Sequence, residues 1–168
     1  MHKRTQRMVQ AAIIAAIYVI LTHYQNLLIP GSTTWAVQCR LSEALCVLAF
    51  FTPAAIPGLS IGCLVFNLYY AAALPIDWLV GTLATFLATT AMRHLRNMKI
   101  RTLPLTSLLM PALFNALLVG AELTFYFGGG FFINAFYVAL GELIVLLVPG
   151  TLLYYAITRR HLDSRLFS

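Results

Sequence analysis

Five polar residues interrupt two long apolar runs between Leu113 and Val145. Asn115 and Glu122 precede Gly128, Gly129 and Gly130, and Asn134, Tyr137 and Glu142 follow them. A carboxylate accepts adjacent N–H donors, a carboxamide answers a carbonyl, and an aromatic ring stacks, so these groups together suit recognition of a flat heteroaromatic ring. The competing reading is a set of interhelical polar contacts, each worth about 1 kcal/mol or less. If both runs cross a bilayer as one antiparallel hairpin, positions whose numbers add to about 258 lie at one depth. Asn115 is then level with Glu142, and Glu122 with Tyr137. At about 1.5 Å per residue, Asn115 and Glu142 sit roughly 16 to 18 Å from the glycine turn, near mid-membrane. An acid there costs about 2.5 to 3.5 kcal/mol on insertion scales and normally faces a bundle interior or an aqueous cavity. The seven-residue spacing puts Asn115 and Glu122 on one helical face, and Asn134, Tyr137 and Gly141 repeat that pattern on the next helix.

Further candidates lie upstream. Arg40 and Glu43 mark the outer end of a short apolar segment, and Asn67, Tyr69 and Tyr70 the outer end of the next. Glu43, Asp77, Glu122 and Glu142 all fall in the outer half or near mid-membrane, with Arg40 the sole basic residue there. With every group ionised, the outer cavity carries an acidic excess of three and favours a cationic or donor-rich ligand. Arg40 and Glu43 are three residues apart on one helix, so a local pair between them competes with a ligand-binding role.

The elements that position these residues must be membrane helices. Of 168 residues, 61% are hydrophobic and 10% charged, and the mean hydropathy is +0.85; soluble domains are about a quarter charged. Such a chain cannot furnish a charged shell around a soluble core. The sequence predicts an all-α integral membrane protein, one domain over 1–168, with helices at 8–29, 35–51, 53–74, 76–92, 103–127 and 131–157. Pro53, Pro57 and Gly58 divide the stretch between Trp35 and Leu74 into two segments. Lys and Arg concentrate at the N-terminus, at 93–101 and at 159–165. The positive-inside rule puts all three clusters in the cytoplasm, which requires an even number of spans between each pair. A six-helix bundle with both termini cytoplasmic satisfies this. The first apolar segment is followed by Thr22, His23, Tyr24, Gln25 and Asn26 with no clean small-x-small site, so it reads as a retained helix rather than a cleaved signal. The formal charge of +6 fits contact with anionic lipid better than nucleic-acid binding.

Two further features bear on function. The connection from Ile29 to Trp35 lies outside, as a lid or an ordinary turn. Ala11, Ala12, Ala15 and Ala16 form two Ala-x-x-x-Ala pairs near the cytoplasmic end of the first helix, a ridge that admits close approach of another helix. Several chemistries have no sequence basis. There is no Gly-x-x-x-x-Gly-Lys-Ser/Thr loop for ATP and no Gly-x-Ser-x-Gly elbow. His2, His23, His94 and His161 are scattered, and Cys39, Cys46 and Cys63 lack metal-site spacing. An enzyme is not expected, nor a metal or cofactor bound by this chain.

Four runs carry a family resemblance: Arg40 to Leu45 (RLSEAL), Phe51 to Leu59 (FTPAAIPGL) with Gly62 and Cys63, Phe114 to Glu122 (FNALLVGAE), and Asn134 to Leu143 (NAFYVALGEL). In this order they resemble the QueT family, substrate-binding (S) components of energy-coupling factor (ECF) transporters assigned to queuosine precursors. The resemblance implies a bacterial cell-membrane protein that captures a 7-deazaguanine, preQ1 or preQ0, from outside. It further implies docking onto an ECF module of one membrane coupling protein and two ATPase subunits, which use the ATP. In S components an Ala-x-x-x-Ala motif on the first helix meets the coupling protein, and Ala11, Ala12, Ala15 and Ala16 match it. Expected substrate contacts are Trp35, Arg40, Glu43, Asn67, Asn115, Glu122, Asn134, Tyr137 and Glu142. The excess of acid favours preQ1, with its aminomethyl cation, over neutral preQ0. An S component for another vitamin-like heterocycle, a ligand-free scaffold or assembly subunit, and a small secondary carrier remain as alternatives.

Overall fold

A computed structural model describes residues 3–33, 39–70, 73–98, 104–160 and 162, and every regular element among them is helical. Helix α1 is Lys3–Leu28, followed by a 3-10 helix at Leu41–Phe50, α2 at Ala55–Tyr69, α3 at Asp77–Leu95, α4 at Leu105–Phe127 and α5 at Phe131–Arg159. Three of these, α1, α4 and α5, are long and apolar enough to cross a membrane. The 3-10 helix and α2 are apolar but shorter.

The distribution of side chains is that of a bilayer protein. Ile13, Ile17, Ile20, Phe132, Ile133 and Phe136 are exposed, whereas Thr22, Glu43, Asn67, Asp77, Glu122 and Glu142 are buried. Water would penalise that outer surface, but hydrocarbon does not. Buried acids are in turn disposed toward the bundle interior, where membrane proteins keep them. On α1 the inward stripe is Ile14, Tyr18, Thr22 and Asn26, one residue per turn, so its N-terminal half meets an apolar core and its C-terminal half a polar one.

The expected second helix differs in kind. Leu41–Phe50 winds as a 3-10 helix, which has three residues per turn and about 2.0 Å rise, and it is longer than such helices usually run. That period aligns Glu43, Cys46 and Ala49 on one buried face, with Leu41, Leu45 and Leu48 less buried. Its ten residues cover about 20 Å, against about 15 Å for an α-helix. The Arg93 guanidinium on α3 donates to the carbonyls of Ala49 and Phe50 at its C-terminal end (3.2 and 3.4 Å), meeting acceptors a helix terminus leaves unpaired.

Helix α5 changes winding at Leu146–Gly150, a π-helical turn containing Pro149. Proline offers no amide proton, and the wider turn lets the Thr151 amide bond to the Leu146 carbonyl instead. Gly128 and Gly129 close the α4–α5 hairpin at φ 72° and 76°, the left-handed region that glycine enters without cost.

Helices α1 and α2 meet backbone to backbone. A methyl group on Gly58 would lie 2.8 Å from the Ala11 carbonyl oxygen, and one on Gly62 2.8 Å from Tyr18 Cβ. The Gly-x-x-x-Gly spacing of α2 thus receives the inward side of the alanine ridge. Gly62→Val is expected to force the helices apart and cost about 1 to 3 kcal/mol. A lowered thermal midpoint of the detergent-purified protein, relative to a lipid-facing control such as Ile61→Val, is the check.

Candidate binding site

The buried polar residues converge into two linked clusters. The first centres on Arg40, which caps the 3-10 helix in an extended conformation and so projects away from that helix's own face. Its Nη2 lies 3.1 Å from Asp77 Oδ2, with both side chains 6% exposed. Its Nη1 donates to Asn67 Oδ1 at 3.2 Å, and Nε to the Thr33 carbonyl at 3.0 Å. The Asn67 amide in turn donates to the Asp77 backbone carbonyl at 3.0 Å. Asp77 stands in the first turn of α3, where the helix dipole favours negative charge. Gly81, one turn along, makes room: a Cβ there would sit 2.8 Å from Asn67 Nδ2 and 3.1 Å from Asp77 Oδ1. The cluster therefore joins the Thr33 turn, the 3-10 helix, α2 and α3 around one guanidinium.

The Thr33 turn is also held to α1. Asn26 and Thr33 exchange side-chain hydrogen bonds (2.7 and 3.0 Å), and the Gln25 amide donates to Ser32 Oγ at 3.0 Å and to the Cys39 carbonyl. The Gln25 side-chain carbonyl receives the Leu41 amide at 2.7 Å. Of the segment expected as a lid or a turn, the described part, residues 29–33, is anchored by the C-terminal end of α1.

The second cluster is acidic. Glu43 Oε1 accepts from Tyr18 Oη at 2.6 Å, and Oε2 from Cys46 Sγ at 3.1 Å. Across from it, Asn115 Nδ2 donates to Glu142 Oε1 at 3.0 Å, the pair that hairpin depth places level. Glu142 Oε2 and both oxygens of Glu122 are buried with no hydrogen-bond partner among the described residues. Arg40, Glu43, Gly81, Thr85, Asn115, Val119 and Glu142 enclose a cavity of about 10 Å³. That is roughly the room one water-sized group occupies.

The structure thus brings together Arg40, Glu43, Asn67, Asn115 and Glu142, with Glu122 buried two turns from Asn115 on α4. The remaining candidates stand elsewhere. Asn134 donates to Thr124 Oγ1 (2.9 Å) and to the Gly128 carbonyl (3.1 Å), fastening the hairpin turn. Tyr137 is 42% exposed on the outer face of α5; equal depth with Glu122 does not put it on the same side. Trp35 lies outside the described residues. The local Arg40–Glu43 pair weighed from spacing is not what forms, because the extended backbone at residue 40 turns the guanidinium toward α3. Asp77, counted in the sequence only toward net charge, is its partner. A first-turn acid on the following helix was the available signal. Ala11 and Ala15 are half-buried against α2, while Ala12 and Ala16 are exposed.

Breaking one side of a buried ion pair strands the other charge, at about 3 to 5 kcal/mol. Asp77→Ala should therefore lower the unfolding midpoint strongly, and adding Arg40→Met should recover much of the loss. A double variant no more stable than Asp77→Ala would show that Asp77 matters for another reason.

Residues 8–159 match the family described as QueT transporter. No curated protein and no solved structure matches the chain significantly. A family match over nearly the whole chain, joined to apolar helices of spanning length around a buried polar site, places the protein among membrane transporters rather than enzymes: it belongs to the QueT transporter family.

Proposed function

We propose that the chain is the substrate-binding S component of an ECF-type importer and captures a 7-deazaguanine, preQ1 or preQ0, at the Arg40–Glu43–Asn115–Glu142 site. In this reading six helical segments cross the cell membrane with both termini cytoplasmic, so the site opens outward and the basic clusters face inward. The observation that carries it is the convergence of an arginine, two carboxylates and a carboxamide on one cavity inside an otherwise apolar bundle. Ligand pockets commonly run to about 300 to 1,000 Å³. Admitting a bicyclic ring therefore requires the α4–α5 hairpin, which carries Asn115, Glu122 and Glu142, to part from the α1–α3 side with its Arg40–Asp77 pair.

Energy would come from a coupling protein and two ATPases, docked at the cytoplasmic end. Supporting this is a groove of about 670 Å³ bordered by Ala11, Ala12, Ala15, Pro53 and Pro57, with Arg4 and Arg7 also along it. A second reading is a scaffold subunit whose polar residues serve packing alone. The small size of the cavity favours that reading.

Thermal unfolding of the purified protein with preQ1, preQ0, guanine, thiamine, riboflavin and biotin separates the two. A ligand at 100 times its dissociation constant contributes about 2.7 kcal/mol, and a scaffold gains nothing from any of them. Stabilisation by the deazaguanines alone is expected; a response to thiamine, riboflavin or biotin instead would reassign the substrate. Ala12→Trp and Ala16→Trp should keep ligand-induced stabilisation yet abolish ATP-dependent uptake in liposomes containing the ATPase module. Uptake without that module would point to a secondary carrier.

A further inference from the structure

The acidic groups of the site differ in how many acceptor atoms they leave free. Arg40 is matched by Asp77 at 3.1 Å, and its other donors go to Asn67 and the Thr33 carbonyl, so that cluster is formally neutral. Glu43 and Glu142 border the same small cavity with no further cation among its lining residues, a formal charge of minus two around space for one water-sized group. Glu142 offers one free oxygen, Oε2, since Asn115 holds the other. Each Glu43 oxygen takes one donor and retains a lone pair for a second. A compact group with several N–H donors and a positive charge fits this cavity. A planar ring does not.

Glu122 is different. Both its oxygens are buried with no hydrogen-bond partner among the described residues, and it does not border the cavity. It lies seven residues beyond Asn115 on the same face of α4, about 10 Å along the axis. Two free oxygens of one carboxylate match two adjacent N–H groups on a ring edge, which a carboxylate with one oxygen engaged does not.

We propose that the ligand is a heterocycle bearing a primary ammonium group, with the ammonium seated between Glu43 and Glu142 and the ring's adjacent N–H donors on Glu122. This rests on the heterocycle-binding reading above and assigns the two ends of the ligand. The ammonium end sits deep, against the 3-10 helix, and the ring extends from it toward the hairpin turn. An amine is thus selected over a neutral analogue by Glu43 and Glu142, and the ring identity is read by Glu122.

Titration calorimetry of the full chain in nanodiscs with preQ1 (aminomethyl) and preQ0 (nitrile) tests this. The wild type should bind the amine more tightly. Glu142→Gln should weaken amine binding about 10- to 100-fold and leave the nitrile within about threefold, since one charge-assisted contact is lost. Glu43→Gln should do the same, which keeps the test valid if one variant fails to fold. Glu122→Gln should weaken both ligands alike. Equal wild-type affinity for the two, or loss of amine preference in Glu122→Gln with Glu142→Gln unchanged, overturns the assignment while leaving heterocycle binding standing. Binding of neither ligand by the wild type would remove both.

Discussion

The buried contact between Arg40 and Asp77 is the constraint to which the residues around it conform. Taking two charges out of water costs several kcal/mol each, and their attraction repays this only when every donor is met. Here each nitrogen of the guanidinium has a partner, drawn from a turn, from α2 and from α3. The demands propagate outward. Asn67 must present its carbonyl to Arg40 and its amide to Asp77, and Gly81 must lack a side chain where Asn67 passes. Thr33 must be held by Asn26 so that its carbonyl points inward. With the one buried cation among the described residues thereby neutralised, Glu43, Glu122 and Glu142 remain as the acidic face of the candidate site.

That division gives the bundle two sides of unlike character. The α1–α3 side is tied by close backbone packing at Gly58 and Gly62 and by a saturated ion pair. The α4–α5 hairpin is packed tightly within itself, with a methyl at Gly120 falling 2.8 Å from Ala135 Cα, but it faces the other side with acids that have acceptor capacity to spare.

Part of this arrangement is legible in the sequence. Asn115 and Glu142 meet because a short glycine turn between two continuous helices fixes their depth by arithmetic, and the same count brings Thr124 to Asn134. Depth is not direction, however, and one coordinate cannot tell that Tyr137 faces outward while Glu142 faces in. Arg40 defeats spacing arguments for another reason. Its partner lies 37 residues away across two intervening elements, and the assumption of α-helical winding at residue 40 points it toward Glu43. The 3-10 winding of Leu41–Phe50 has no local signature in a run that is small or apolar apart from Glu43. The alanine ridge has one side packed on α2 and the other exposed, which a stripe of four identical residues cannot reveal.

The proximity of Asn115 and Glu142 along the chain also bears on how the protein is made. A helical hairpin can enter the bilayer as one piece during synthesis, and these two residues, 27 apart around a tight turn, meet within it. In a hairpin that enters this way Glu142 would have one oxygen already hydrogen-bonded, offsetting part of the cost of about 2.5 to 3.5 kcal/mol that a lone central acid carries. Arg40 has only the Thr33 carbonyl close by in the chain. Asn67 and its ionic partner Asp77 emerge on later helices, so the pair can close only after α3 has been made, and the order of synthesis becomes an order of assembly.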